Sequence, residues 1–262
     1  MKRIKHLVLA ASLALLLVAS PALAHDFWAG VEKAEAGQPL VAKIGYGHNF
    51  PEGEEIKAEN LARFLPLELQ GSKGALTLNP GAEPRLAVSA APVPAGTYLL
   101  LANGRERFST RGPEGYTDKP KNEVPGATSC NFGSSHGKAV VNLGGAAETG
   151  LISKPVGQTM EIVPLANPAK IKPGHRFPVK VLFKGKPLPG ATVTAYFAGF
   201  ADKDEHEYFA FSGNADKEGL VNIIPLKGGL WLAKATFEKN YADPAVCDQE
   251  RYNATLTFTI AD

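Results

Sequence analysis

At 262 residues, with 44% hydrophobic and 21% charged side chains, 27 Gly, 20 Pro and two Cys, the chain is too apolar for disorder, too poor in Gly for collagen and too poor in Cys for a disulfide-dense miniprotein. A formal net charge of +2 excludes a strongly basic nucleic-acid footprint. Even that charge comes from the amino-terminal segment, because Lys2, Arg3 and Lys5 precede the apolar run Leu7 to Ala19 and the small-residue pattern Ala22-Leu23-Ala24. This is the pattern of a secretory signal peptide, residues 1–24, cut before His25.

Without that segment the chain is within about one charge of neutrality. No later stretch reaches the roughly 18 to 20 consecutive apolar residues of a membrane helix, and no Cys follows the cut to carry a lipid. The expectation is a periplasmic or secreted protein without membrane insertion or nucleic-acid binding. In an oxidising compartment Cys130 and Cys247 are expected to form one disulfide, with metal thiolates as the alternative.

In chain order, the first half carries short apolar segments: Leu40 to Gly45, Leu61 to Leu69, Leu86 to Ala90, Thr97 to Leu101, Arg107 to Ser109 and Lys138 to Leu143. Turns such as Asn79-Pro80-Gly81 and Pro92-Val93-Pro94-Ala95-Gly96 separate them. Ile56 to Phe64 is the one plausible short helix. The stretch Gly144 to Gly150 is small and without apolar periodicity, so residues 146–158 are read as a linker between sandwich domains at 25–145 and 159–262.

In the second half Phe177 to Phe183 and Ala191 to Ala198 alternate about Gly185-Lys186-Pro187-Leu188-Pro189-Gly190, the pattern of a hairpin. Glu207 to Ser212, Leu220 to Ile224, Trp231 to Phe237 and Thr255 to Ile260 follow, with Asp216-Lys217-Glu218-Gly219 as the tightest turn. The fold class is therefore all-β: two β-sandwich domains, the second immunoglobulin-like or transthyretin-like.

Phosphate loops, Cys-x-x-Cys, His-Glu-x-x-His and nucleophile elbows are absent, so the chain is read as non-enzymatic. Carboxylate pairs such as Glu54-Glu55 read as solvated surface. Chemistry rests on the histidines. Cleavage before His25 would give one residue both an amine, with a reference pKa near 8, and an imidazole near 6.5. Such a pair suits a nitrogen-loving transition metal, Ni, Co or Cu. Phe27 and Trp28 would pin that terminus by burial. His48, in Gly45-Tyr46-Gly47-His48-Asn49-Phe50-Pro51 after a strand, is the second candidate ligand, because two glycines allow close approach. His136, before the strand Lys138 to Leu143, and His206, in an acidic run, are candidates for the third and fourth. His175 reads as ordinary surface.

His25-Asp26-Phe27-Trp28, the Gly45 to Pro51 loop, and Met160 to Pro168 followed by Lys172-Pro173-Gly174 and Val179 to Ala191 resemble domain-of-unknown-function family 4198. That resemblance implies a bacterial periplasmic protein, a soluble component associated with nickel or cobalt uptake. It implies a metal ion as ligand and a metal transporter or outer-membrane receptor as partner. The functional expectation is capture or delivery of Ni or Co through His25, His48, His136 and His206. Two alternatives stay open: a structural or interaction module with incidental histidines, and a copper-dependent oxidase built on an amino-terminal His.

Overall fold

The computed structural model describes residues 25–200 and 209–262, so the signal-peptide reading and His206 lie outside the described residues. In chain order the strands are β1 Asp26–Lys33, β2 Val41–Gly47, β3 Glu68–Gly71, β4 Gly74–Leu76, β5 Leu78–Pro80, β6 Leu86–Ser89, β7 Gly96–Asn103, β8 Arg107–Gly112, β9 Gly115–Thr117 and β10 Ser129–Gly133. They continue as β11 Ser135–Leu143, β12 Met160–Pro164, β13 Phe177–Phe183, β14 Lys186–Pro187, β15 Thr192–Phe197, β16 Phe211–Asn214, β17 Leu220–Ile223, β18 Gly229–Asn240 and β19 Gln249–Ile260. The predicted helix shrinks to Ala58–Leu61, one turn without a side-chain cap.

These strands form two β-sandwiches that share a sheet. The long central sheet runs β16-β15-β18-β19-β11-β7-β3-β4, and β10, β8 and β9 extend from β19. A four-stranded sheet β1-β2-β6-β5 covers one region, and β12-β13-β14 with β17 covers another. Strand β7 explains how one sheet serves both. Tyr98, Leu100 and Ala102 belong to the core under β1 and β2, whereas Leu99 and Leu101 belong to the core with β12, β13 and β17. A strand covered on both faces reads as a continuous apolar run, which Tyr98-Leu99-Leu100-Leu101-Ala102 is.

The halves meet through backbone pairing: β11 runs parallel to β19, with Ser135 opposite Asn253 and Ala139 opposite Thr257. The stretch read as a linker carries no strand, and Ile152 within it is fully buried in the second core. Cys130 and Cys247 form the expected disulfide.

One expectation is corrected. Phe177–Phe183 and the strand near Ala191 do not form a hairpin: β13 pairs with β12, β14 and β17, while β15 pairs with β16 and β18 in the central sheet. Lys184 and Gly185, both at positive φ, turn the chain from β13 into the two-residue β14. Pro187 and Pro189 lack the N–H groups that would prolong that ladder, so the chain crosses to the other sheet. Val179 and Val181 then join Val193 and Ala195 in one core. Alternation revealed two half-buried strands, but it carries no record of which sheet each joins. The Asp216 turn is as expected, its carboxylate accepting the N–H groups of Glu218 and Leu220 at 2.9 Å each.

Candidate metal centre

Strand register brings two of the four predicted ligands together. β1 and β2 run antiparallel with Asp26 opposite Gly47, Phe27 opposite Tyr46 and Trp28 opposite Gly45. One further step sets His25 opposite His48, and opposed residues project to the same face. The two imidazole rings are 4.4 Å apart between centroids, tilted by 32°. His25 also stacks on Tyr46, its diagonal neighbour, at 4.7 Å and 14°.

A loop residue completes the group. The chain turns after β2 so that the Gly53 N–H donates to the Asn49 carbonyl at 2.9 Å and the Glu54 N–H to the Tyr46 carbonyl at 2.6 Å. The Glu54 carboxylate accepts the His48 backbone N–H at 3.1 Å and lies 3.2 Å from His25 Nε2. The two glycines have separate roles. A Cβ on Gly45 would fall 1.9 Å from the Trp28 ring, and one on Gly47, at φ +123°, would fall 2.6 Å from the Glu54 side chain. The ligand atoms of His25, His48 and Glu54 all lie within 4.8 Å of one another, and the His25 and Glu54 side chains remain 38% and 39% exposed. Two imidazoles and a carboxylate open to solvent suit a borderline divalent cation better than a hard one. Glu54 was missed by sequence reading, since a carboxylate on a Glu-Glu loop has no period or spacing to separate it from solvated surface.

The opposite face of β1 anchors this arrangement to the second half of the chain. Asp26 accepts the Tyr196 hydroxyl at 2.8 Å and Lys234 Nζ at 3.1 Å. Burial, then Asp26, push the Tyr196 phenol upward, so it stays a donor. Phe50 packs edge-on against both Trp28 and Tyr196, tying the His48 loop to β15.

Of the other predicted ligands, His206 lies outside the described residues and His136 is not part of this group. His136 is buried on β11, with Nδ1 3.0 Å from Asn103 Oδ1 and Nε2 3.0 Å from Ser134 Oγ. Asn103 Oδ1 also accepts from Gln158 Nε2 at 2.8 Å, so it is the acceptor for His136 Nδ1–H and the Ser134 hydroxyl donates to Nε2. His175 is exposed, with Nδ1 3.2 Å from the Pro173 carbonyl.

Burial holds the His136 imidazole well below its ordinary 6.5, at about 4, against the opposing pull of Glu161 and Glu106. The unfolded chain binds this proton more readily than the folded one, so stability is complete above about pH 6.5 and is lost as pH falls toward 4. The expected contribution is about 3 kcal/mol. Urea unfolding of wild type and His136→Gln between pH 7 and 4.5 should show the steeper loss in wild type. Parallel curves would contradict it.

The fold and this cross-strand group define a class: a two-sandwich β protein that presents two histidines and a glutamate at the rim of its first sandwich. The chain belongs to the family described as Domain of unknown function (DUF4198), whose sequence profile matches residues 22–239. No curated protein matches it. Solved structures similar to it include the Yersinia pseudotuberculosis adhesin InvE, at 15% identity over 88% of this chain and 58% of that one, with a TM-score of 0.21. The chain thus spans 58% of the length of that adhesin. The D0-D1 domain of Intimin is similar at 13% identity, covering 89% of this chain and 97% of that one at a TM-score of 0.21. The BSP domain of a biofilm associated protein is similar at 11% identity, covering 89% and 30% at a TM-score of 0.19. Likeness at this level carries no inference about what the present chain binds.

Proposed function

We propose that the chain is a non-enzymatic carrier of a divalent transition metal, Ni or Co, held by His25, His48 and Glu54 and passed to an uptake system outside the cytoplasmic membrane. The observation that carries this reading is the convergence of those three ligand atoms within 4.8 Å. Export with removal of residues 1–24 would add the His25 amine as a fourth donor beside its own imidazole. A surface cluster of this kind exchanges its metal readily, which suits capture and delivery rather than permanent structural use.

Binding to the folded state alone should raise stability by about 2.7 kcal/mol at a hundredfold excess over Kd, several degrees in Tm for a chain of this size. Thermal unfolding with and without Ni²⁺ and Co²⁺ checks this in wild type, His48→Ala and Glu54→Gln. His48→Ala should abolish the shift and Glu54→Gln should reduce it. Equal shifts in all three proteins would contradict the site, and no shift in wild type would contradict the function.

A further inference from the structure

The described residues leave four large apolar side chains exposed, and three of them gather at one end of the second sandwich: Leu165 at 36%, Ile224 at 41% and Leu226 at 60%. Strand β13 brings them together. On one side of it the Leu165 N–H donates to the Pro178 carbonyl at 2.9 Å. On the other side Phe177 lies opposite Ile223, so one further step brings Arg176 alongside Ile224. The loop that follows is tied down: its Pro225 carbonyl accepts the Gly174 N–H at 2.8 Å, and its Lys227 carbonyl accepts the Trp231 indole N–H at 3.0 Å. Ile224 and Leu226 therefore stay in water although Pro225 between them is buried. Apolar side chains fixed in water in this way carry a cost that a covering surface would remove.

The charges around these tips indicate what covers them. Residues 162–200 hold six Lys and Arg and no Asp or Glu. Lys172, Arg176 and Lys227 are exposed, and none of them enters an ion pair among the described residues, although Lys227 also covers the Phe197 ring. The carboxylates at hand are Glu148, within electrostatic reach of Lys170, and Asp262, beside Gly228. The centre of a protein–protein interface is depleted of charge, whereas here cations and single apolar tips interleave. That mixture matches a bilayer surface, where cations meet lipid phosphates and apolar side chains reach the acyl boundary. We propose that Leu165, Ile224 and Leu226, with Lys172, Arg176 and Lys227, dock the protein on an anionic phospholipid bilayer. The tips are single side chains, so the contact is superficial. Asp26 bonds Tyr196 and Lys234, which alternate with Ala195, Ala233 and Ala235 of the second core, so β1 lies across the central sheet from β13 and β17. Docking leaves the metal centre clear, and the inference stands independently of the metal-carrier reading.

Flotation of the chain beginning at His25 with vesicles of phosphatidylcholine alone, and of phosphatidylcholine and phosphatidylglycerol in equal parts, tests it. Wild type should float with the second and not the first, and binding should weaken with salt. Lys172→Gln/Arg176→Gln should bind about 25-fold more weakly, since each cation contributes about fivefold at an anionic surface. Ile224→Ser/Leu226→Ser should lose about tenfold. All four positions are exposed, so both variants should keep the wild-type Tm. If the charge variant loses the vesicles while the apolar variant holds them as wild type does, the face recognises charge alone, as an acidic protein would offer, and the lipid proposal is overturned. Equal binding to both vesicles, wild-type binding by the charge variant, or no binding by wild type overturns it as well.

Discussion

Replacing Glu161 by Ala should lower the unfolding free energy by about 3–5 kcal/mol, because it leaves a buried ammonium without a counter-ion. Lys138 on β11 points into the second core, fully buried, and its Nζ lies 2.6 Å from Glu161 Oε1 on β12. Burial pushes the Lys138 ammonium down from its ordinary range, and Glu161 pulls it back up. The carboxylate does more than balance this charge. Oε1 accepts the Val156 N–H at 2.8 Å and Oε2 the Gly157 N–H at 3.2 Å, so the same residue satisfies the backbone of the segment between the sandwiches. Glu161→Ala therefore orphans a cation and two N–H groups together. Lys138→Met/Glu161→Gln should regain part of the loss, since the Gln oxygen can still accept one N–H and no charge is left buried. Urea unfolding distinguishes the cases. A loss under about 1 kcal/mol in Glu161→Ala would mean that Lys138 finds water or another partner.

The second large effect is expected at Cys130–Cys247. The bridge closes a loop of sequence separation 117, and a cross-link of that span removes much of the freedom of the unfolded chain. Cys130→Ala/Cys247→Ala should cost about 2–5 kcal/mol, with wild type in reductant shifting to the same urea midpoint. The neighbourhood would hold its shape. The Asp248 carboxylate accepts the Cys130 N–H at 2.8 Å and pairs with Lys121, and β10 keeps its pairing to β8 and β19. The loss should therefore appear in global stability and leave metal binding intact. A collapse of binding on reduction would contradict this separation of the bridge from the His25 end.

How much of this was legible in the sequence differs by feature. Strands with clean alternation or a continuous apolar run, such as β7, β13 and β17, fall within a residue or two of their expected bounds. β10 and β9 are polar and short, and β8 was expected only over Arg107 to Ser109; the ladder to β19 and the disulfide hold this group, so local patterning says little about most of its length. The His25–His48 pairing was accessible in principle: Trp28 needs a facing residue without a side chain, Gly45 supplies it, and that register alone sets His25 against His48. Glu54 depended on a loop path fixed by Gly47 and Gly53, and His136 on Ser134 and on Asn103 of β7, which Gln158 from the segment after β11 in turn holds. Neither leaves a local signature, because in both cases the decisive neighbours are brought by tertiary pairing. The same holds for Lys138 and Glu161, two charged residues in strands whose partnership only the packed sandwich reveals.

The central claim is a metal centre built on the His25 end of β1 and completed by β2 and its loop. Its most direct test is isothermal titration of Ni²⁺ into protein that begins at His25, beside the same protein carrying one additional Ala before His25. The expected result is 1:1 binding in the first and a loss of affinity of at least about tenfold in the second, since the amine moves away while both imidazoles and Glu54 stay in place. Equal, weak isotherms for the two proteins would contradict the amino-terminal centre.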